Sequence, residues 1–389
     1  VSRPGEPAAR AVTCAPPLAA RLDPIEPNSA ACDYFDARTI MSTESESTAD
    51  QAGKTAGDSM IAVSIQGSTP EQVRAVAQRL FADNFPRLSQ SAQETVTSRA
   101  SDLAEAFIEK AIDRGVSLSA AADPDVQYLL LASQRDYARS GNDSLKKLLV
   151  DLLVERSSAH EDLEKIVLGE AIETARKLTS KQISALTICW LLRSTTPTSV
   201  QTFDDFIDYA QVNYQPFCSN LPVNNSEYAH IQYTGSTIPG MGNSLGYLLS
   251  NQVPGLFQRG FPVNAIPEPL WQEPVRQELF SVNLYDSTLW QVDAPDEPKA
   301  REKLAKVGLS NLEQQYVGLL NSYRHSDEEV EKRLIDSGAF WADLIHVWQS
   351  TNLSSLTASS VGTAIAHSNW VAVTGGLSPL STWITENKH

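Results

Sequence analysis

Apolar residues recur at helical spacing between Pro124 and Pro197, a stretch that contains no further proline. The clearest stripe occupies positions i, i+3, i+4, i+7 and i+8: Leu145, Leu148, Leu149, Leu152 and Leu153. This spacing places the side chains on one face of a 3.6-residue helix, with charged residues turned away. The pattern predicts a packed helical array.

Signals for helix ends extend this array in both directions. The predicted starts are Thr69 before Pro70, Ser89, Asp123 before Pro124, and Thr179 three residues before Gln182. Gly141 has the position of a C-cap. A further helix is predicted from a stripe of four apolar residues: Leu163, Ile166, Val167 and Ala171.

A proline-rich segment between residues 216 and 298 has short, aromatic apolar runs. Long regular helices are excluded there, and strands are predicted at Tyr228–Tyr233 and Leu279–Tyr285. A lone alternating strand, Ile61–Gln66, could pair with this segment or between subunits. Helices are predicted again after Pro298.

These patterns predict a mainly α-helical protein: a multi-helix array with a small, irregular, partly β insert and a disordered N-terminal leader. The expected domains are 1–59 (leader), 60–215 (strand plus helical array), 216–298 (insert) and 299–389 (C-terminal helices). Residues 1–40 resemble an overextended gene start, because Met41 opens a typical acidic, disordered N-terminus.

Charge and cysteine content narrow the classes of function. The formal net charge is −16, which opposes binding to nucleic acid or to an anionic membrane surface. No apolar run is long enough to cross a membrane. The four cysteines form no C-x-x-C pair, and Cys189 is expected to pack as a small hydrophobe. A cytoplasmic protein without a metal site or cofactor is expected.

Several segments together resemble an uncharacterised bacterial family known by locus-tag names, from about residue 60 to the end. The residues that carry the resemblance are 123–128, 137–141, 148–156, 177–179, 255–261, 356–369 and 380–384. The order of two helices followed by residues 178–182 is also similar to abortive-infection alpha proteins of phage defence. Neither resemblance implies catalytic residues at positions of this chain.

The glycine-rich run from Gly235 to Gly246 is a candidate ligand-binding loop. Backbone N–H groups at a helix start can hold an anion, so Gly240, Gly242 and Asn243 are the candidate ligand residues. The run has no lysine and no P-loop spacing, and a structural loop is the simpler interpretation.

Three histidines are candidates for chemistry. His325 precedes acidic residues, but Ser326 and Glu329 have capping-box spacing, which explains the acids as a helix start. His230 and His367 are the candidate catalytic residues, although for His367, which lies among small residues, packing in a core or an interface explains the position more simply.

The leading hypothesis is a non-enzymatic helical interaction or regulatory protein, with a role in bacterial stress or phage defence. Its partner would be another protein or a second copy of itself. The alternative is an enzyme or toxin with a site near His230 or His367. Ligand sensing through the glycine-rich run is a third possibility.

Overall fold

A computed structural model describes residues 22–24, 69–84, 90–197, 199–376 and 378–384. The chain divides into an N-terminal unit (residues 24–176) and a larger unit (residues 1–23 and 177–389). The predicted strand Ile61–Gln66 and nearly all of the predicted leader lie outside the described residues. The short strand β1 (Leu22–Pro24) pairs with β2 (Thr195–Pro197).

The N-terminal unit is built from helices, as the apolar periodicity predicted. They are α1 (Pro70–Asn84), α2 (Gln90–Asp113), α3 (Pro124–Ser140), α4 (Asp143–Ser158) and α5 (Asp162–Ala175), with a 3-10 helix at Leu118–Ala122. The leucine stripe of α4 is buried, which confirms its assignment to a core face.

The predicted caps set the ends of α3. The Asp123 carboxylate accepts the Asp125 backbone N–H at 3.0 Å, and Pro124 occupies the first turn. Gly141 ends the helix with φ of 60°, a left-handed conformation that favours glycine. Nη2 of Arg156 in α4 forms an ion pair with Oδ2 of Asp125 at 2.7 Å. This ion pair connects two of the family-like segments, 123–128 and 148–156.

The apolar stripe predicted on α5 is wider than the face that the helix buries. Val167 and Ala171 are buried, whereas Leu163 and Ile166 are 55% and 63% exposed. Periodicity identifies an apolar face but cannot tell how much of it another helix covers.

The larger unit contains the remaining elements. Its helices are α6 (Ser180–Ser194), α7 (Phe203–Asn213), α8 (Gln215–Cys218), α9 (Asn225–Tyr233), α10 (Leu245–Gln252), α11 (Val275–Leu279), α12 (Glu297–Lys306), α13 (Glu313–Ser322), α14 (Asp327–Ser337), α15 (Ala339–Ser350), α16 (Ser360–Thr374) and α17 (Ser381–Ile384). Its other strands are β3 (Thr237–Pro239), β4 (Phe280–Val282), β5 (Trp290–Val292) and β6 (Leu356–Ala358).

Helices α6 and α16 pack together in the core of the larger unit. Residues 185–192 of α6 are buried on every side, a pattern typical of a helix surrounded by protein. Cys189 is fully buried, its thiol contacts the Leu356 carbonyl at 3.1 Å, and burial raises its pKa to about 12. The prediction that Cys189 packs as a small hydrophobe is confirmed.

The proline-rich segment shares a core with the helices that follow it. Phe261, Leu279 and Val292 pack in one buried cluster with Leu304 of α12 and Tyr316 of α13. Strand β4 pairs antiparallel with β5, so the strand predicted near Leu279–Tyr285 is present over a shorter range.

The strand predicted at Tyr228–Tyr233 is wrong, because these residues form the end of α9. Tyr228 and Ile231 are fully buried at i, i+3 spacing, which fits a helix and not a strand. Strand β3 follows and pairs antiparallel with β6, with Ile238 opposite Thr357. None of the helices among the described residues has the length and apolar character needed to span a membrane.

Candidate functional site

His367 lies in a cluster of three tryptophans in the core of the larger unit. Its ring centroid is 5.7 Å from that of Trp190, 5.9 Å from Trp370 and 5.6 Å from Trp383. The side chain is 1% exposed, and Nε2 donates a hydrogen bond to the Ser378 carbonyl at 2.8 Å. This geometry joins α16 to the C-terminal segment and leaves the ring shielded from water.

His230 lies on the surface of α9. Its Nδ1 accepts a hydrogen bond from Gln182 Nε2 at 3.1 Å, because this amide nitrogen can only donate, so the proton of the neutral histidine belongs on its Nε2. The ring stacks on Tyr233 with centroids 6.5 Å apart. Gln182 also donates to the Glu227 carbonyl at 3.0 Å, which fixes the amide orientation. The hydrogen bonds and ring contacts of the described chain do not join His230 to His367.

The candidate ligand residues Gly240, Gly242 and Asn243 form the loop between β3 and α10. The Gly240 N–H donates to the Ser355 carbonyl at 2.8 Å, which extends the β3–β6 pairing. A Cβ on Gly242 would lie 3.4 Å from Ser355 Oγ. The Asn243 carbonyl accepts from Trp348 Nε1 at 2.9 Å. The loop backbone is therefore held at both ends.

Arg193 of α6 holds the middle of this loop. Its Nη2 donates to the carbonyl oxygens of Met241 at 2.9 Å and Ser354 at 2.5 Å. The guanidinium also lies over the Trp348 ring, 5.4 Å from a ring centroid. Its charge is thus directed at carbonyl dipoles inside the protein.

The first turn of α10 is occupied by groups of the protein itself. Ser244 Oγ accepts the Tyr247 N–H at 3.0 Å and donates to Asp327 at 2.6 Å. The Gly246 N–H donates to the buried Glu331 carboxylate at 3.3 Å. An anionic ligand at this turn would have to compete with two carboxylates.

Four exposed apolar side chains belong to this loop and to the elements that flank it along the chain. Tyr233 of α9 is 88% exposed, Ile238 of β3 53%, Met241 of the loop 76% and Tyr247 of α10 48%. These four residues are called the 233–247 surface below. Sequence analysis missed it, although one signal was available: apolar residues in a turn-rich segment that belong to no periodic stripe.

The acidic run after His325 caps α14, as its spacing predicted. Ser326 Oγ accepts the Glu329 N–H at 3.3 Å, and the Glu329 carboxylate accepts the Ser326 N–H at 2.8 Å. The hydrogen bond from the Ser326 N–H to the carboxylate, and then the ion pair with Arg259 at 2.7 Å, lower the pKa of Glu329 to about 2. Burial, and then the charge of Arg333, lower the pKa of His325.

Among the described residues, histidine, cysteine, aspartate and glutamate side chains form no group of three or more that could hold a metal ion. A protein-family model designated by a locus tag matches residues 67–384. No curated protein and no solved structure matches the chain, and the likeness to abortive-infection proteins finds no support in these comparisons.

Proposed function

The chain belongs to this locus-tag-designated family, and we propose that it is a non-enzymatic helical interaction or regulatory protein. Its binding site is the 233–247 surface, and its ligand is another protein. One observation supports this function: the exposed apolar side chains belong to a backbone that the protein's own hydrogen bonds hold in place.

Tyr233 and Met241 are types of side chain that protein interfaces favour, because they bury large apolar areas with adaptable geometry. Met241 sits on a loop anchored by Arg193 and by Trp348. A held loop loses little conformational freedom on binding, so more of the contact energy appears as affinity.

The test compares partner capture by purified variants that carry one substitution each. Met241→Ser removes the most exposed side chain of the loop, and Ile166→Ser removes a comparably exposed apolar side chain of the N-terminal unit. We expect Met241→Ser to reduce recovery of the copurifying partner from native cells, while Ile166→Ser retains it. Equal recovery with both variants would reject the 233–247 surface.

The competing class, an enzyme or toxin, is favoured by one observation at His230. Gln182 holds Nδ1 of this exposed ring by a hydrogen bond, which assigns the proton to Nε2 on the opposite side of the ring. His230→Ala tests this alternative in cells. Loss of the cellular phenotype with unchanged folding and unchanged partner capture would favour catalysis over binding.

Cytoplasmic action in a bacterial stress or phage-defence response is the cellular setting we propose for this binding. Its test is phage challenge of cells that lack the gene. Unchanged survival and unchanged phage yield would remove the phage-defence part of the proposal.

A further inference from the structure

Near the loop of the 233–247 surface, the first turn of α14 carries two carboxylates that the helix dipole favours but that have no ion-pair partner among the described residues. Asp327 lies at the N-terminal end of α14. Its carboxylate accepts a hydrogen bond from Ser244 Oγ, at the end of the loop, at 2.6 Å. Glu328 follows it and is exposed. Within the described ranges, neither carboxylate forms an ion pair with a lysine, arginine or histidine.

Arg193, the arginine of α6 that holds the loop, does not pair with these carboxylates. Arg193 directs Nη2 to the carbonyl oxygens of Met241 and Ser354 and packs over Trp348. Glu331 adds a further carboxylate below the first turn of α10, where it is 8% exposed. Negative charge is therefore concentrated at the start of α10, the helix that directly follows the loop.

From this charge pattern we infer that the partner inserts an apolar segment flanked by lysine or arginine, with its cations placed against Asp327 and Glu328. The inference rests on the proposed function and specifies the chemistry of the partner. A second copy of the chain is disfavoured as occupant, because each copy carries a net charge of −16. Opposite charge around an apolar contact raises the association rate and selects the partner.

Two synthetic amphipathic peptides probe this chemistry on the full chain. One combines leucine with lysine, and the other replaces every lysine by glutamate. Fluorescence anisotropy at several salt concentrations is expected to show binding of the lysine peptide alone, with affinity that falls as salt rises. Binding of both peptides with equal affinity would overturn the inference.

Paired variants separate the charge contribution from nonspecific attraction to an acidic protein. Asp327→Asn with Glu328→Gln should weaken the lysine peptide about threefold to tenfold. The control, Glu161→Gln with Asp162→Asn, removes two acidic groups at the start of α5 and should leave the affinity unchanged. An equal loss in both variants would show nonspecific attraction and overturn the inference.

The apolar contribution is tested separately so that the two proposals fail differently. Met241→Ser should weaken the lysine peptide about tenfold, because a buried methionine contributes more than an exposed ion pair. If Met241→Ser weakens the native partner but the paired acid variant does not, the basic partner is rejected and the proposed function stands. If neither change weakens it, both proposals are rejected.

Discussion

Gly362 shows how a single residue sets the packing of the larger unit. It lies in the first turn of α16, and a Cβ at this position would collide with the carbonyl oxygen of Ser236. The same carbonyl accepts the Ser359 N–H at 3.0 Å, just before the helix begins. The close approach joins the start of α16 to the residue before β3.

Gly362→Ala is therefore expected to destabilise the protein by about 1–3 kcal/mol, because backbone atoms must move to admit a methyl group. Chemical denaturation followed by circular dichroism measures the change. The matched control is Gly318→Ala in α13, where no atom other than those of the adjoining residues and the helix's own backbone lies within 4 Å of the added Cβ. That change should stabilise by about 0.5–1 kcal/mol. Equal effects of the two changes would contradict this packing.

The two candidate histidines should respond differently to alanine substitution. His367→Ala removes a buried ring from among three tryptophans and is expected to cost about 2–4 kcal/mol. His230→Ala removes an exposed ring and is expected to cost about 1 kcal/mol or less. Thermal unfolding together with tryptophan fluorescence measures both. An unchanged stability of His367→Ala would contradict its assignment to the core.

At the scale of elements, one side chain at the start of α14, Glu329, both caps the helix and forms an ion pair. Glu329 accepts the Ser326 N–H and pairs with Arg259, and both contacts lower its pKa from 4.5 to about 2. A lowered acid pKa stabilises the folded state above the unfolded pKa, and this stabilisation is lost as pH falls through the folded pKa. Because Glu329 is about half exposed, the effect is screened and modest.

The stability difference between the wild type and Glu329→Gln should therefore be constant above about pH 5 and shrink as pH falls toward 2. Urea denaturation at a series of pH values measures it. Glu328→Gln changes an exposed neighbour outside the capping box and serves as the control. A difference that grows as the solution is acidified would contradict the lowered pKa.

Local signals predicted the elements better than the surfaces they form. The Asp123 and Thr179 caps could be predicted because each depends on residues within one helical turn. Tyr228–Tyr233 was assigned to a strand because a short aromatic run fits either period. Met241 belongs to no periodic stripe, which signals exposure, but the loop conformation that presents it depends on Arg193 and Trp348, which are distant in sequence.

At the scale of the whole molecule, negative charge constrains association. The chain has 47 acidic and 31 basic residues, and this excess opposes contact between two copies. Light scattering at low salt is expected to give the monomer mass of 42.5 kDa. A dimer mass under these conditions would favour self-association over a different protein partner.

Binding of another protein at the 233–247 surface is the proposed activity on which the partner's chemistry also depends. Hydrogen–deuterium exchange of the full chain, with and without its copurifying partner, tests this claim most directly. Binding should slow exchange in residues 237–247 and leave residues 162–168 of α5 unchanged. Unchanged exchange in residues 237–247 at saturating partner would contradict the claim.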